Sequence, residues 1–119
     1  MALYWFQVDF IRKQEEDAVA ICLVVDNVDE SREEFESVMK HLGQTGPIPP
    51  TGARLFAAGP AEGSWRVISI WDSPESLQRF FGERLAPAYK DAGLSLDGAK
   101  RSTFEVHTLM VGGGGAQGA

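Results

Sequence analysis

His107 and Glu105 are the residues of this chain best suited, by type and spacing, to move protons. They lie in the segment STFEVHTLMV, residues 102–111, which reads as a strand, and alternation along a strand puts both side chains on one face. An imidazole changes charge near neutral pH, and a carboxylate beside it orients the ring or favours its cation. The same pair suits a subunit interface or a cavity rim, so the spacing alone leaves both readings open. A second group is built for binding. Trp65, Val67, Ser69 and Trp71 share one face of a strand, with Arg66, Ile68 and Ile70 on the other. The two indoles either form core or stack on a flat aromatic ligand, and Ser69 offers that ligand a hydrogen bond.

Other chemistries find little support. Cys22 is the only cysteine, which excludes an intramolecular disulfide and a zinc site built on several thiolates, and it reads as a buried small hydrophobe. His41 and His107 stand on separate elements, His41 near the C-terminus of a helix, and no metal-ligand spacing stands out. Neither glycine-containing turn matches a phosphate loop. No cofactor and no metal are therefore expected. A net charge of -6 and a pI near 4.8 argue against nucleic acid and anionic membrane surfaces as partners. No apolar run approaches the roughly 20 residues that span a bilayer. The apolar start of the chain is interrupted by Gln7 and Asp9 with no basic segment before it, so no signal peptide is read and the cytoplasm is the expected compartment.

The elements that must position these residues follow from periodicity and punctuation. Residues 1–13 alternate at Phe6, Val8 and Phe10 and read as an N-terminal strand or arm, which must pair with a sheet edge or a second subunit to cover its aromatics. AVAICLVV, residues 18–25, is a β-branched run suited to a central strand. Phe35, Val38, Met39 and Leu42 make one helical stripe, capped by Asp29 or Ser31 and ending near Gly43. The prolines at 47, 49 and 50 force a loop. A strand ending at Ala58, a turn over Gly59–Gly63, a strand ending at Trp71 and a helix capped by Ser73 follow one another directly. That helix carries Leu77, Phe80, Phe81, Leu85, Ala88 and Tyr89 inward, with a kink or break expected at Pro87. The expected division is an arm at 1–13, one α+β domain at 14–111 and a flexible Gly-rich tail at 112–119.

Leaving the arm aside, the order βαββαβ is that of a ferredoxin-like antiparallel sheet with two helices on one face. AAGP, SWRVISIWDSPESLQRFFGERLAPAYKDAG and FEVHTL resemble the antibiotic-biosynthesis-monooxygenase-like proteins of the dimeric α+β barrel superfamily over roughly residues 18–111. The resemblance implies a homodimer through the sheet faces, with a cavity between sheet and helices in each subunit. It implies a small hydrophobic metabolite, aromatic or polyketide-like, and a cofactor-independent cyclisation, isomerisation or oxygenation. A non-catalytic ligand-binding or accessory protein of the same fold is the alternative. The parallel turns Trp71, Ser69, Val67 and Trp65 toward the cavity, with Phe56, Phe80 and Tyr89 completing an aromatic lining. Several relatives keep polar chemistry where this chain has Val67, Leu77, Phe56 and Lys90, so His107 and Glu105 are left as the expected acid-base pair.

Overall fold

The structure, a computed structural model, describes residues 19–112. The expected arm at 1–13, and all of the expected tail but Gly112, lie outside the described residues.

The apolar run forms β1 over Ile21–Val28, later than its composition alone indicates, because cross-strand partners extend it through Asp26 and Asn27. Asp26 points to the outer sheet face, where Arg66 donates from Nε to Oδ1 at 2.7 Å and from Nη2 to Oδ2 at 3.1 Å. This two-pronged bond holds the Asp26 carboxyl below its ordinary range. Asn27, one residue on, faces the helices and is buried.

Helix α1 runs Arg32–Thr45. Ser31, not Asp29, is its N-cap: Ser31 Oγ accepts from the Glu34 amide at 3.1 Å, and Glu34 Oε1 accepts from the Ser31 amide at 2.9 Å. This reciprocal pair satisfies two orphan donors of the first turn. The other end passes Gly43 and stops at Thr45, where Arg84 donates to the carbonyls of Leu42 (2.6 Å) and Pro47 (2.8 Å). A distant side chain thus completes the helix terminus.

Strand β2 covers Ala53–Ala61 and β3 covers Ser64–Trp71. Gly59 and Pro60 continue β2, and the turn is confined to Glu62 and Gly63, with Gly63 at φ 75°. Pro60 is tolerated in the strand because β2 lies at the sheet edge, where half the backbone donors need no partner. The last strand, β4, spans Ala99–Glu105 instead of 102–111. Its ladder with β1 ends at Ile21 opposite Glu105, followed by a single bond from the Val106 amide to the Ala20 carbonyl at 2.8 Å.

Between β3 and β4 the chain forms α2, Pro74–Phe80, and α3, Ala86–Asp91, joined without a loop by a π-helical turn over Phe81–Leu85. Ser73 caps α2 by accepting from the Ser76 amide at 3.1 Å, with Pro74 in the first turn. The break expected at Pro87 is this wide turn. Proline has no N–H for the carbonyl four residues back, and the Ala86 amide bonds instead to the Phe81 carbonyl five residues back.

The sheet order is β2-β3-β1-β4, antiparallel throughout. With the helices on one face, this is the ferredoxin-like α+β arrangement. Val38 and Leu42 of α1, Trp71 of β3, Phe80 of α2 and Ala88 and Tyr89 of α3 form the buried core. Opposite them, Cys22, Val24, Leu55, Ile68, Ile70 and Phe104 make the outer face largely apolar, and Phe104 is 57% exposed.

Candidate functional site

Alternation fixes which residues meet the helices. Leu23, Val25 and Asn27 of β1 lie opposite Ser69, Val67 and Trp65 of β3, while Phe56 of β2 lies opposite Ser69 from the other side. Between this face and the helices is an apolar cavity of about 50 Å³, whose walls include Phe56, Val67, Ser69, Trp71, Phe80 and Tyr89. These six were expected there from the sequence. Trp65 is buried but not in the wall; its ring packs against Phe35 at 5.3 Å, so it serves as core. Val67 and Leu77 bring only hydrocarbon to the cavity.

The cavity adjoins an open recess of about 480 Å³ between α2, the π-turn and β4. Leu23, Leu77, Phe81 and Arg101 belong to both walls. The inner space alone is smaller than the 300–1,000 Å³ usual for small-molecule sites, whereas the recess falls within that range. Phe81 takes part because the π-turn carries it, in keeping with the frequent occurrence of such turns at functional sites.

Inside, polarity is scarce. Trp71 Nε1 donates to Ser69 Oγ at 2.8 Å, and both residues are buried. Ser69 Oγ is thereby occupied as an acceptor, while its own proton remains to be donated. Tyr89 donates its hydroxyl to Glu30 Oε1 at 2.9 Å, whereas Glu30 Oε2 is buried with no hydrogen-bond partner among the described residues. Glu30 belongs to a separate polar pocket of about 180 Å³ that shares Asn27 and Ala99 with the apolar cavity. Burial pushes the Glu30 carboxyl above its ordinary range, opposed by the Tyr89 bond and assisted by repulsion from Glu34. The Tyr89 phenol is raised as well, first by burial and then by the neighbouring carboxylate.

The Glu30 shift sets a pH dependence. A carboxyl whose folded pKa lies above its unfolded value carries more proton in the native state, so this contribution to stability falls as pH rises through that window, from about pH 4 upward. Glu30→Gln keeps an acceptor for Tyr89 and removes the charge. Melting temperatures of the variant should therefore decline less than those of the wild type between pH 4 and 7; parallel curves would show that the buried charge does not oppose folding.

His107 and Glu105 are not brought into this site. Glu105 is the last residue of β4 and exposed, and His107 lies beyond the strand, exposed, with its Nδ1 2.7 Å from Thr108 Oγ1. Neither lines the cavity or the recess. The pairing expected from alternation fails because the strand ends before His107. Cys22 is buried on the outer face, where burial raises its thiol pKa. His41 is partly buried on α1, its Nδ1 2.9 Å from the Ser37 carbonyl. Among the described residues no group of three or more His, Cys, Asp or Glu side chains is placed to hold a metal, and no helix is long and apolar enough to cross a membrane.

Asn27, Glu30, Phe35, Met39 and Arg101 were missed by sequence reasoning. Phe35 and Met39 were assigned to the helix stripe, from which a cavity position was a short step. Nothing local marks Asn27, Glu30 or Arg101.

The ferredoxin-like sheet with its helices on one face is a fold that the chain has in common with solved antibiotic-biosynthesis-monooxygenase-like structures. A candidate antibiotic biosynthesis monooxygenase from Caulobacter crescentus aligns with a TM-score of 0.60 at 15% identity, covering 82% of this chain and 99% of its own. SnoaB, a cofactor-independent oxygenase from Streptomyces nogalater, gives 0.54 at 15% identity, covering 77% and 96%. A hydroxynitrile lyase from Passiflora edulis gives 0.52 at 11% identity, covering 77% and 97%. At these identities the likeness is one of fold, and the reactions of these proteins differ. No family model matches the chain, and no curated protein matches its sequence.

Proposed function

We propose that this chain forms a homodimer that binds a hydrophobic, aromatic or polyketide-like metabolite between sheet and helices and catalyses its cofactor-independent cyclisation, isomerisation or oxygenation, in the cytoplasm. The observation that carries this reading is the aromatic-walled cavity beneath the helices, which has Leu23, Leu77, Phe81 and Arg101 in common with an open recess beside it. Such a space takes a flat apolar body inward and leaves its polar substituents near the mouth. Dioxygen is the co-substrate where the step is an oxygenation, by analogy of fold with the cofactor-independent oxygenase SnoaB. The apolar outer face, with Phe104 exposed, supports pairing of two sheets face to face. Light scattering that finds a single 13.0 kDa chain at micromolar concentration removes the dimer from this reading.

A specific observation also favours a non-catalytic ligand-binding or accessory role. Among the described residues the ionisable side chains in the cavity wall are Tyr89 and Arg101, and a phenol and a guanidinium are poor general bases. Anthrone, a flat tricyclic ketone tautomeric with a phenol, separates the two readings. Quenching of tryptophan emission reports its binding near Trp71, and oxygen uptake with mass spectrometry of the product reports turnover. Saturable quenching with conversion faster than in buffer supports the enzyme, and quenching without conversion selects the binding protein. Absence of quenching by anthrone and by smaller naphthols overturns both.

A further inference from the structure

Two arginines of this fold are held by polar partners. Arg66 is held by Asp26 on the outer face, and Arg84 by the carbonyls of Leu42 and Pro47. Arg101 differs. It sits on β4 opposite Val25, on the face that meets the helices, and is the one cationic residue shared by the inner cavity and the recess. Among the described residues no Asp or Glu lines either space, and Arg101 has neither an ion pair nor a side-chain hydrogen bond. Its close partner is the Phe81 ring of the π-turn, with the guanidinium carbon 5.1 Å from the ring centroid. In a chain of net charge -6, this is a local positive spot at the entrance of an apolar hole.

We propose that Arg101 is the anion-recognition residue of this recess and that the ligand it selects is an aromatic carboxylate, its ring system inward and its carboxylate on the guanidinium. The inference rests on the recess being the ligand site. A guanidinium presents paired N–H donors that match the two oxygens of a carboxylate, and a neighbouring aromatic face holds its plane without consuming those donors. Leu23, Leu77 and Phe81 flank the apolar body. Gln78 of α2 and Thr103 of β4, on the same strand face as Arg101, border the same opening and add neutral polar groups where the carboxylate stands. The carboxylate stays near solvent, so it is not stripped of water before it meets its partner.

The test compares 2-naphthoate with 2-naphthalenemethanol, which has the same ring system and no charge, by isothermal titration calorimetry at pH 7. The wild-type protein should bind the carboxylate more tightly, and Arg101→Met should weaken the carboxylate about tenfold or more while changing the alcohol by less than about twofold. Arg101→Lys, which keeps the charge without the fork, should fall between them. Added salt should weaken only the carboxylate. Arg101 is exposed, so the variants are expected to keep the wild-type melting temperature, which confirms that each is folded. Equal binding of both compounds, unchanged by Arg101→Met, overturns the role of Arg101 and leaves the recess as the site. Binding of neither compound overturns the recess reading and this inference with it.

Discussion

Replacing Trp71 with alanine should destabilise the protein by about 3–5 kcal/mol, the range for removing a large aromatic side chain from a packed core. Trp71 is 1% exposed. Its ring lies 5.0 Å from that of Phe80 at a tilt of 33°, so the substitution also removes an aromatic pair of about 0.5–1.5 kcal/mol. The loss of Nε1 leaves Ser69 Oγ buried without its donor. The same change enlarges the apolar cavity, since Trp71 forms part of its wall. Indole should therefore raise the melting temperature of Trp71→Ala more than that of the wild type, by filling the void, because a ligand that binds only the native state stabilises it. Trp71→Phe should cost less, retaining most of the ring while losing the indole N–H. Chemical denaturation measures both losses. A loss below about 1 kcal/mol for Trp71→Ala would mean that this end of β3 is not core.

Gly52→Ala should cost about 2–4 kcal/mol, for two reasons that can be separated. The backbone at Gly52 has φ 91°, a region in which side chains with a Cβ are strained by roughly 1–3 kcal/mol. A Cβ there would also stand 2.7 Å from Ser76 Cβ and 2.8 Å from Ser76 Oγ. Ser76 cannot easily yield, because its hydroxyl donates to Asp72 Oδ1 at 2.7 Å at the start of α2, and overpacking of this kind costs about 1–3 kcal/mol. The Gly52 carbonyl accepts from the Asp72 amide at 2.9 Å, so displacement of either residue disturbs the junction from β3 into α2. Gly63 provides the control: its φ is 75°, but a Cβ there meets nothing within 4 Å. Gly63→Ala should show the strain without the clash. Equal losses at the two positions, measured by urea denaturation, would show that Ser76 gives way.

Most of the element order was legible because its causes are local. The stripe of Phe35, Val38, Met39 and Leu42, the caps at Ser31 and Ser73 and the alternation through Trp71 each depend on neighbours a few residues away. The strand ends were less legible. β1 carries on through Asp26 because Arg66 pairs with it across the sheet, and β4 stops at Glu105 where its ladder with β1 ends. Pro60 looked like part of a turn until the edge position of β2 made it harmless in a strand.

The sequence by itself determined a ferredoxin-like α+β order of elements and an aromatic face on β3, and left open which way that face points. Periodicity and capping are properties of adjacent residues, and they need no knowledge of the whole. Tertiary structure alone decided which side chains share a space. It left His107 and Glu105 exposed at and beyond the end of a strand, joined Glu30 to Tyr89 across the fold and set Arg101 against Phe81 at an opening made by a π-turn. Those pairings join residues far apart in the chain, whose meeting is fixed by sheet register and helix packing and leaves no local pattern to read.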